Sequence, residues 1–307
     1  MKRVLPYLLL LPGLGLVMLF MVSVLYRAFA QSFGLYNFGG EDAFSLHHWQ
    51  EMLARPRFWR AFWYSSYIAT TSALLSVALA YPLALWMRKP FRGSMLLSAL
   101  IKAPMLVPGL VAAFLFVNVI SYHGFLNQIM MGLGLWDAPR RMQNDASGYG
   151  VIFLQVWKNL PFAFLLLSGA VASLPDPVLN AARDLGAGTW SRFRKVVVPM
   201  TAGAMQASLI LIFIGAAGDF SFQSVAGPVR LNSMATLMTQ VQTTDADWNG
   251  AAVIAVMLMG LALFGSILLA IVVHVASWLM GGTAPATIRR HLRRARTIPN
   301  QPNGGQA

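Results

Sequence analysis

The stretch Leu174-Pro-Asp-Pro-Val-Leu-Asn-Ala-Ala-Arg-Asp-Leu-Gly-Ala-Gly-Thr-Trp-Ser-Arg-Phe-Arg-Lys-Val-Val-Val-Pro199 separates two long apolar runs. Asp176 is a residue type that caps helix N-termini, and Pro177 suits the first helical position. A short helix is therefore expected from Asp176 to about Leu185. Gly186 and Gly188 can end it in a left-handed cap. Thr189 can cap a second helix that starts at Trp190 and runs on past Pro199. Together these make a helix–turn–helix elbow. Val178, Leu179, Ala182 and Leu185 fall on one stripe of its first arm. An apolar stripe outside a bilayer needs a protein partner or the protein's own underside.

On both sides of the elbow the chain turns apolar. A bilayer core needs about 20 mostly apolar helical residues. Six runs meet that length: Val4–Tyr26, Ala61–Met87, Met95–Ser121, Tyr149–Leu174, Met200–Ala217 and Gly250–Met280. The elbow lies between the fourth and the fifth. The expected fold class is an all-α integral membrane protein with six transmembrane helices.

Composition points the same way. Of 307 residues, 57% are hydrophobic and 11% charged, against about 25% charged in a soluble domain. The 23 Lys and Arg exceed the 10 Asp and Glu, for a formal charge of +13. In a soluble chain such an excess indicates nucleic acid. Here the basic residues sit between apolar runs, so membrane orientation explains them and no nucleic-acid partner is expected. The chain has no cysteine, which excludes disulfides, thiolate zinc sites and a cysteine nucleophile. His47, His48, His123, His274 and His291 show no metal-ligand spacing, so no metal site is expected.

With six spans, both termini fall on one side. One set of connections holds Lys2, Arg3, Arg88, Lys89, Arg92, Arg183, Arg192, Arg194, Lys195, Arg289, Arg290, Arg293, Arg294 and Arg296. The other holds Arg27, Arg55, Arg57, Arg60, Arg140, Arg141 and Arg230. The first set is twice as large, which assigns it, the elbow and both termini to the cytoplasm. Lys2-Arg3 before an apolar run also resembles a signal peptide, with Ala28-Phe29-Ala30 as a cleavage site. The apolar run is longer than a signal core, which favours a retained first span.

Outside the spans, Leu46, Trp49, Met52 and Leu53 recur at helical spacing behind Ser45, and Pro56 ends the pattern. This reads as an amphipathic helix on the outer surface. Residues 281–307 read as a basic tail that becomes polar, and its end is expected to be disordered. Within the spans, Lys102 is a functional candidate or a snorkelling side chain. Lys158, deep in the fourth run beside Asn159, reads as pore lining or a buried pair, unless the span boundary is misplaced. Asp219 can face a cationic solute at the pore mouth or be a solvated loop carboxylate. Asn118, Gln155 and Gln206 suit helix-to-helix hydrogen bonds or solute contacts, and Gly203, Ala207 and Gly215 a close-packing face.

The elbow resembles the cytoplasmic signature of binding-protein-dependent ABC importer permeases. That signature is Glu-Ala-Ala, three residues, Gly, nine residues, then Ile-x-Leu-Pro. Here it reads Asn180-Ala181-Ala182, three residues, Gly186, nine residues, then Val196-Val197-Val198-Pro199. Asn180 keeps a polar side chain where the family often has Glu, without the charge. Ser45-Leu-His-His-Trp, Phe58-Trp-Arg-Ala-Phe, Tyr81-Pro-Leu-Ala and Pro104-x3-Pro108-Gly109 are similar to stretches of the polyamine, iron, thiamine and sulfate permeases.

The resemblance implies a type I permease subunit in the bacterial inner membrane, nearest in look to the polyamine group. Its implied domains are 1–60, a first span and periplasmic amphipathic segment; 61–280, the transmembrane domain; and 281–307, the cytoplasmic tail. Asn180, Ala181, Ala182, Arg183, Asp184, Leu185 and Gly186 would form the coupling helix. That helix would dock on a cytoplasmic ATP-binding subunit dimer. A second permease subunit, identical or paralogous, and a periplasmic solute-binding protein are the other implied partners, besides membrane lipid. Lys158, Asn159 and Asp219 are the candidates for the solute pathway.

The chain has no Gly-x4-Gly-Lys-Ser/Thr phosphate loop, so ATP is expected in the partner and no cofactor in this chain. It has no Gly-x-Ser-x-Gly or His-Glu-x-x-His either, and no catalytic residue is expected. A lipid enzyme would need clustered acidic or histidine residues at one interface, whereas the cytoplasmic loops offer only Asp176 and Asp184 before the tail. A stand-alone channel or secondary carrier would leave the elbow without a purpose.

Overall fold

A computed structural model describes residues 5–37, 42–140 and 142–281. Lys2, Arg3, Val4, Arg141 and the tail arginines Arg289, Arg290, Arg293, Arg294 and Arg296 lie outside the described residues. Among the described residues all regular secondary structure is helical. In order the helices are α1 (Leu5–Ser32), α2 (His47–Ala54), α3 (Pro56–Trp86), α4 (Ser94–Lys102), α5 (Gly109–Ile120), α6 (Phe125–Gly132) and α7 (Tyr149–Ala172). There follow α8 (Asp176–Asp184), α9 (Thr189–Arg192), α10 (Val198–Ala217), α11 (Ser221–Ala226), α12 (Met234–Thr243) and α13 (Trp248–Gly281).

Among the described residues, six helical stretches are long and apolar enough to cross a bilayer: Pro12–Ser32, Pro56–Trp86, Gly109–Gly132, Tyr149–Ala172, Thr189–Ala217 and Trp248–Met280. The first helix runs on to Ser32, so Ala28-Phe29-Ala30 lies inside it. The second starts at Pro56 rather than Ala61, because Pro56 is pre-set for a helix start and Arg55 is extended.

The third expected span is broken. Pro104 and Pro108 each lack an amide donor, and Pro108 drives the residue before it out of helical conformation. Ala103–Leu106 tightens into a 3-10 turn, Val107 is extended, and the helix restarts at Gly109.

The central packing joins α3, α7 and α10. Small residues of α3 (Ala69, Ala73, Ala80 and Ala84) let Leu167 and Val171 of α7 and Ile212 and Phe213 of α10 approach closely. Tyr81 of α3 hydrogen-bonds Thr201 of α10 within this layer. Within this single chain the expected close-packing face of Gly203, Ala207 and Gly215 is open at both glycines. A Cβ placed on Gly203 or Gly215 meets nothing within 4 Å, whereas one on Gly265 of α13 would stand 2.3 Å from the Phe213 ring. Close approach therefore falls where α13 crosses Phe213.

At the end far from the elbow, α2 does not merely lie on the surface. Its Met52 is buried with Phe58, Ala61, Met234, Leu237, Val241 and Ile254. Arg57 pairs with Asp245 at 2.6 Å, and Arg55 pairs with Glu51 and reaches Asp247 at 3.9 Å. These contacts tie the α2–α3 corner to the start of α13. The Arg55 guanidinium, chiefly by hydrogen bonding, holds the Glu51 carboxyl below its ordinary range.

Candidate functional site: the elbow and the broken span

The elbow forms, with its caps shifted by one residue. Pro175 is the extended N-cap of α8, and Asp176 is its first helical residue rather than the cap. The Asp176 carboxylate instead accepts Arg88 Nη2 at 2.8 Å. A carboxylate in the first turn also faces the positive end of the helix dipole. Arg88 donates further to the carbonyls of Val171 at 3.2 Å and Leu174 at 2.8 Å, at the C-terminal end of α7.

Gly186 ends α8 as expected, at φ +79°. Its amide bonds the Arg183 carbonyl at 2.9 Å, and the next amide, of Ala187, bonds Ala182 at 3.0 Å. This pair of bonds is a Schellman stop. Gly188, not Thr189, is the N-cap of α9, and it is extended. Beyond α9, Phe193–Val197 widens into a π turn in which the Val198 amide bonds Phe193. Pro199 follows and cannot donate to the carbonyl four residues back, which favours this wider turn.

The apolar stripe of α8 divides. Val178, Leu179 and Ala182 are half-buried, and Leu179 packs on the central layer. The outward face carries Asn180, Ala181, Arg183, Asp184 and Gly186, all exposed, with Leu185 88% exposed. Beneath the elbow lies a cavity of about 630 Å³ lined by Leu85, Leu179, Thr189, Trp190, Arg192, Phe193 and Val197. Trp190 stacks on Phe193 with ring centroids 5.3 Å apart.

Within the bundle, Lys158 of α7 reaches the broken span. Its Nζ donates to the carbonyls of Pro104 at 3.1 Å and Met105 at 3.2 Å, and to that of Val107. Asn159 turns down its own helix and donates to Gln155 Oε1 at 3.0 Å. Gln155 in turn approaches the carboxylate of Asp219. Asn159 and Asp219 are thus linked through Gln155 between α7 and the start of α11, whereas Lys158 turns to the broken span. Asp219 caps α11 by accepting the Phe222 amide at 2.9 Å. Burial pushes its pKa up, against the opposing effect of the Phe222, Gln223 and Ser221 amides and of Gln155. Lys102 is exposed at the end of α4.

Arg88 was not legible as a site residue, since in the sequence it is one of several basic residues flanking a span. The carbonyls of Pro104, Met105 and Val107 were equally silent, although the two prolines mark where carbonyls lose their helical donors.

Residues 72–280 match the family of binding-protein-dependent transport system inner membrane components. The chain is 29% identical over 225 residues to the spermidine/putrescine transport system permease protein PotB of Escherichia coli, covering 72% of this chain and 80% of that one. To PotB of Haemophilus influenzae it is 26% identical over 216 residues, covering 69% and 75%. Its fold resembles a chain of a bacterial alginate ABC transporter solved with an alginate-bound periplasmic protein. The TM-score is 0.72 at 16% identity, covering 87% of this chain and 93% of that one. With six apolar spans among its described residues and a match over most of their length, the chain belongs to the binding-protein-dependent inner-membrane component family, as a multi-pass type I permease subunit of an ABC importer.

Proposed function

We propose that this permease imports a small polyamine-like cation, driven by ATP hydrolysis in a separate cytoplasmic ATPase dimer that docks on α8. The observation that carries this reading is the form of α8. It is a short helix stopped by Gly186, joined at each end to a membrane span, with its outer face exposed. A rigid element between two spans transmits a displacement to both. The basic residues of the elbow side orient that side, and both termini, to the cytoplasm.

On this reading a periplasmic binding protein delivers the solute on the far side, where Asp219 stands near the pathway mouth. Lys158 and Asn159 line the pathway between this subunit and a second permease subunit, identical or paralogous. The similarity to the PotB proteins supports a polyamine-like solute. The test is uptake of labelled putrescine into proteoliposomes holding the permease pair and its ATPase, with the binding protein supplied. Accumulation should require ATP, the ATPase subunit and the binding protein. Accumulation by the permease alone would overturn the reading in favour of a channel or carrier.

A further inference from the structure

The break in the third span lies at membrane depth. It packs on Lys158, near the middle of the 24-residue α7. Backbone carbonyls at that depth need an internal partner, because lipid offers none. Those of Pro104, Met105 and Val107 all converge on Lys158 Nζ. An ammonium has three N–H donors, so this cradle satisfies them all. Nevertheless Met105 and Leu106 in the break are 43% and 86% exposed. Irregular backbone at membrane depth persists only under a protein cover or along a water-filled cavity. On this principle the uncovered side of the break calls for a protein cover or a water-filled cavity.

We propose that the Pro104–Val107 break is a binding site for a primary ammonium group, occupied in this conformation by Lys158, and that the ammonium end of the solute takes the same carbonyls when Lys158 withdraws. The inference rests on the reading of this chain as an importer of a polyamine-like cation. Unwound carbonyls at a helix break are apt ligands for a cation. They accept N–H donors, so they select a primary ammonium over a quaternary one. Lysine is itself a tethered alkylammonium, and its three bonds display the geometry that a free one would adopt. Lys158 competes with the solute for the cradle, so the site binds more weakly than the bare carbonyls would and releases more readily.

The test uses the assembled importer in membrane vesicles, with Lys158→Ala and Lys158→Gln. Ethylammonium is the probe, and tetramethylammonium, which carries no N–H, is its control. In Lys158→Ala, ethylammonium should raise the thermal midpoint of the complex and should inhibit putrescine uptake at a concentration about tenfold below that needed in wild type. Lys158→Gln leaves a weaker, uncharged donor on the carbonyls and should be intermediate. Tetramethylammonium should do neither. Stabilisation without inhibition would take the site off the solute's path and overturn the proposal. An assembled Lys158→Ala complex that shows neither effect overturns the site itself. If Lys158→Ala does not assemble, Lys158→Gln decides, and sensitivity equal to wild type overturns the site. Wild-type vesicles without putrescine uptake would sink the importer reading alone, because the thermal measurement needs no transport.

Discussion

Arg88 and Asp176 meet at 2.8 Å although 88 residues separate them in the chain. The contact joins the end of α3 to the first residue of the elbow helix, and the same guanidinium closes the end of α7. The two components differ in weight. Asp176 has a side chain 66% exposed, so the ion pair contributes only about 0–1 kcal/mol. Bonds from a charged donor to the carbonyls of Val171 and Leu174 contribute about 1.5–3 kcal/mol. Arg88→Ala should therefore lower the stability of the purified permease by about 2–3 kcal/mol, and Asp176→Ala by less than about 1 kcal/mol. Arg88→Lys keeps the charge but loses the fork and should fall between them. Thermal denaturation of the three variants checks the order, and a larger loss in Asp176→Ala would refute it.

Gly186 isolates backbone strain from crowding. A Cβ there meets nothing within 4 Å, yet φ is +79°. The cost of a β-branched side chain is then conformational, about 1–2 kcal/mol. Gly186→Val should re-aim α8 and lower ATPase retention and putrescine uptake, with the permease still in the membrane. Asn tolerates left-handed backbone, so Gly186→Asn should retain most of both. Leu185→Asp needs no rearrangement of the fold, because Leu185 is 88% exposed. It should shed the ATPase if α8 is the docking helix. Co-purification of the ATPase with each variant is the measurement, and full retention in both Gly186→Val and Leu185→Asp removes α8 from the interface.

Gly265 and Phe213 define the tight crossing of α13 over α10. An added Cβ at Gly265 would lie 2.3 Å from the ring, so Gly265→Ala should cost about 1–3 kcal/mol through overpacking. Phe213→Leu should recover part of that loss in the double variant. Gly203→Ala and Gly215→Ala meet open space and should leave the stability of the single chain unchanged, or raise it by about 0.5–1 kcal/mol through helix propensity. Denaturation midpoints of the three single glycine variants and the double variant distinguish the two faces.

The spans and the stop at Gly186 were legible because each is a local signal: a run of apolar residues, or a glycine after a helical pattern. The N-caps slipped by one residue, from Asp176 to Pro175 and from Thr189 to Gly188, because the backbone turns extended one residue earlier than the capping side chain. The break at Pro104 and Pro108 was hidden because the residues around it remain apolar, and hydropathy does not register a missing amide donor. Which glycine face packs was not legible either. Gly203, Ala207 and Gly215 have the right spacing, but periodicity does not say which neighbour crosses where. Arg88 and the Lys158 cradle act on backbone carbonyls, which every residue carries and no sequence pattern marks.

Asp219 offers a test in pH. Its carboxyl has an ordinary value of 3.8 and is pushed up in the folded chain, chiefly by burial. The folded state therefore holds this proton more tightly than the unfolded state does. The resulting stability is fully present below the ordinary value and is lost as pH rises through the raised one. Asp219→Asn removes the titration and keeps an acceptor for the Phe222 amide. Its stability should be no lower than wild type at neutral pH, and its profile should lack the wild-type rise toward acid from this group. Asp219→Ala also removes the cap of α11 and should cost about 1 kcal/mol. Putrescine uptake separates the cap from the pathway. If the carboxylate meets the cation at the mouth, Asp219→Asn should raise the KM for uptake while its thermal midpoint holds. An unchanged KM would leave Asp219 as the cap of α11 and take it out of the solute pathway.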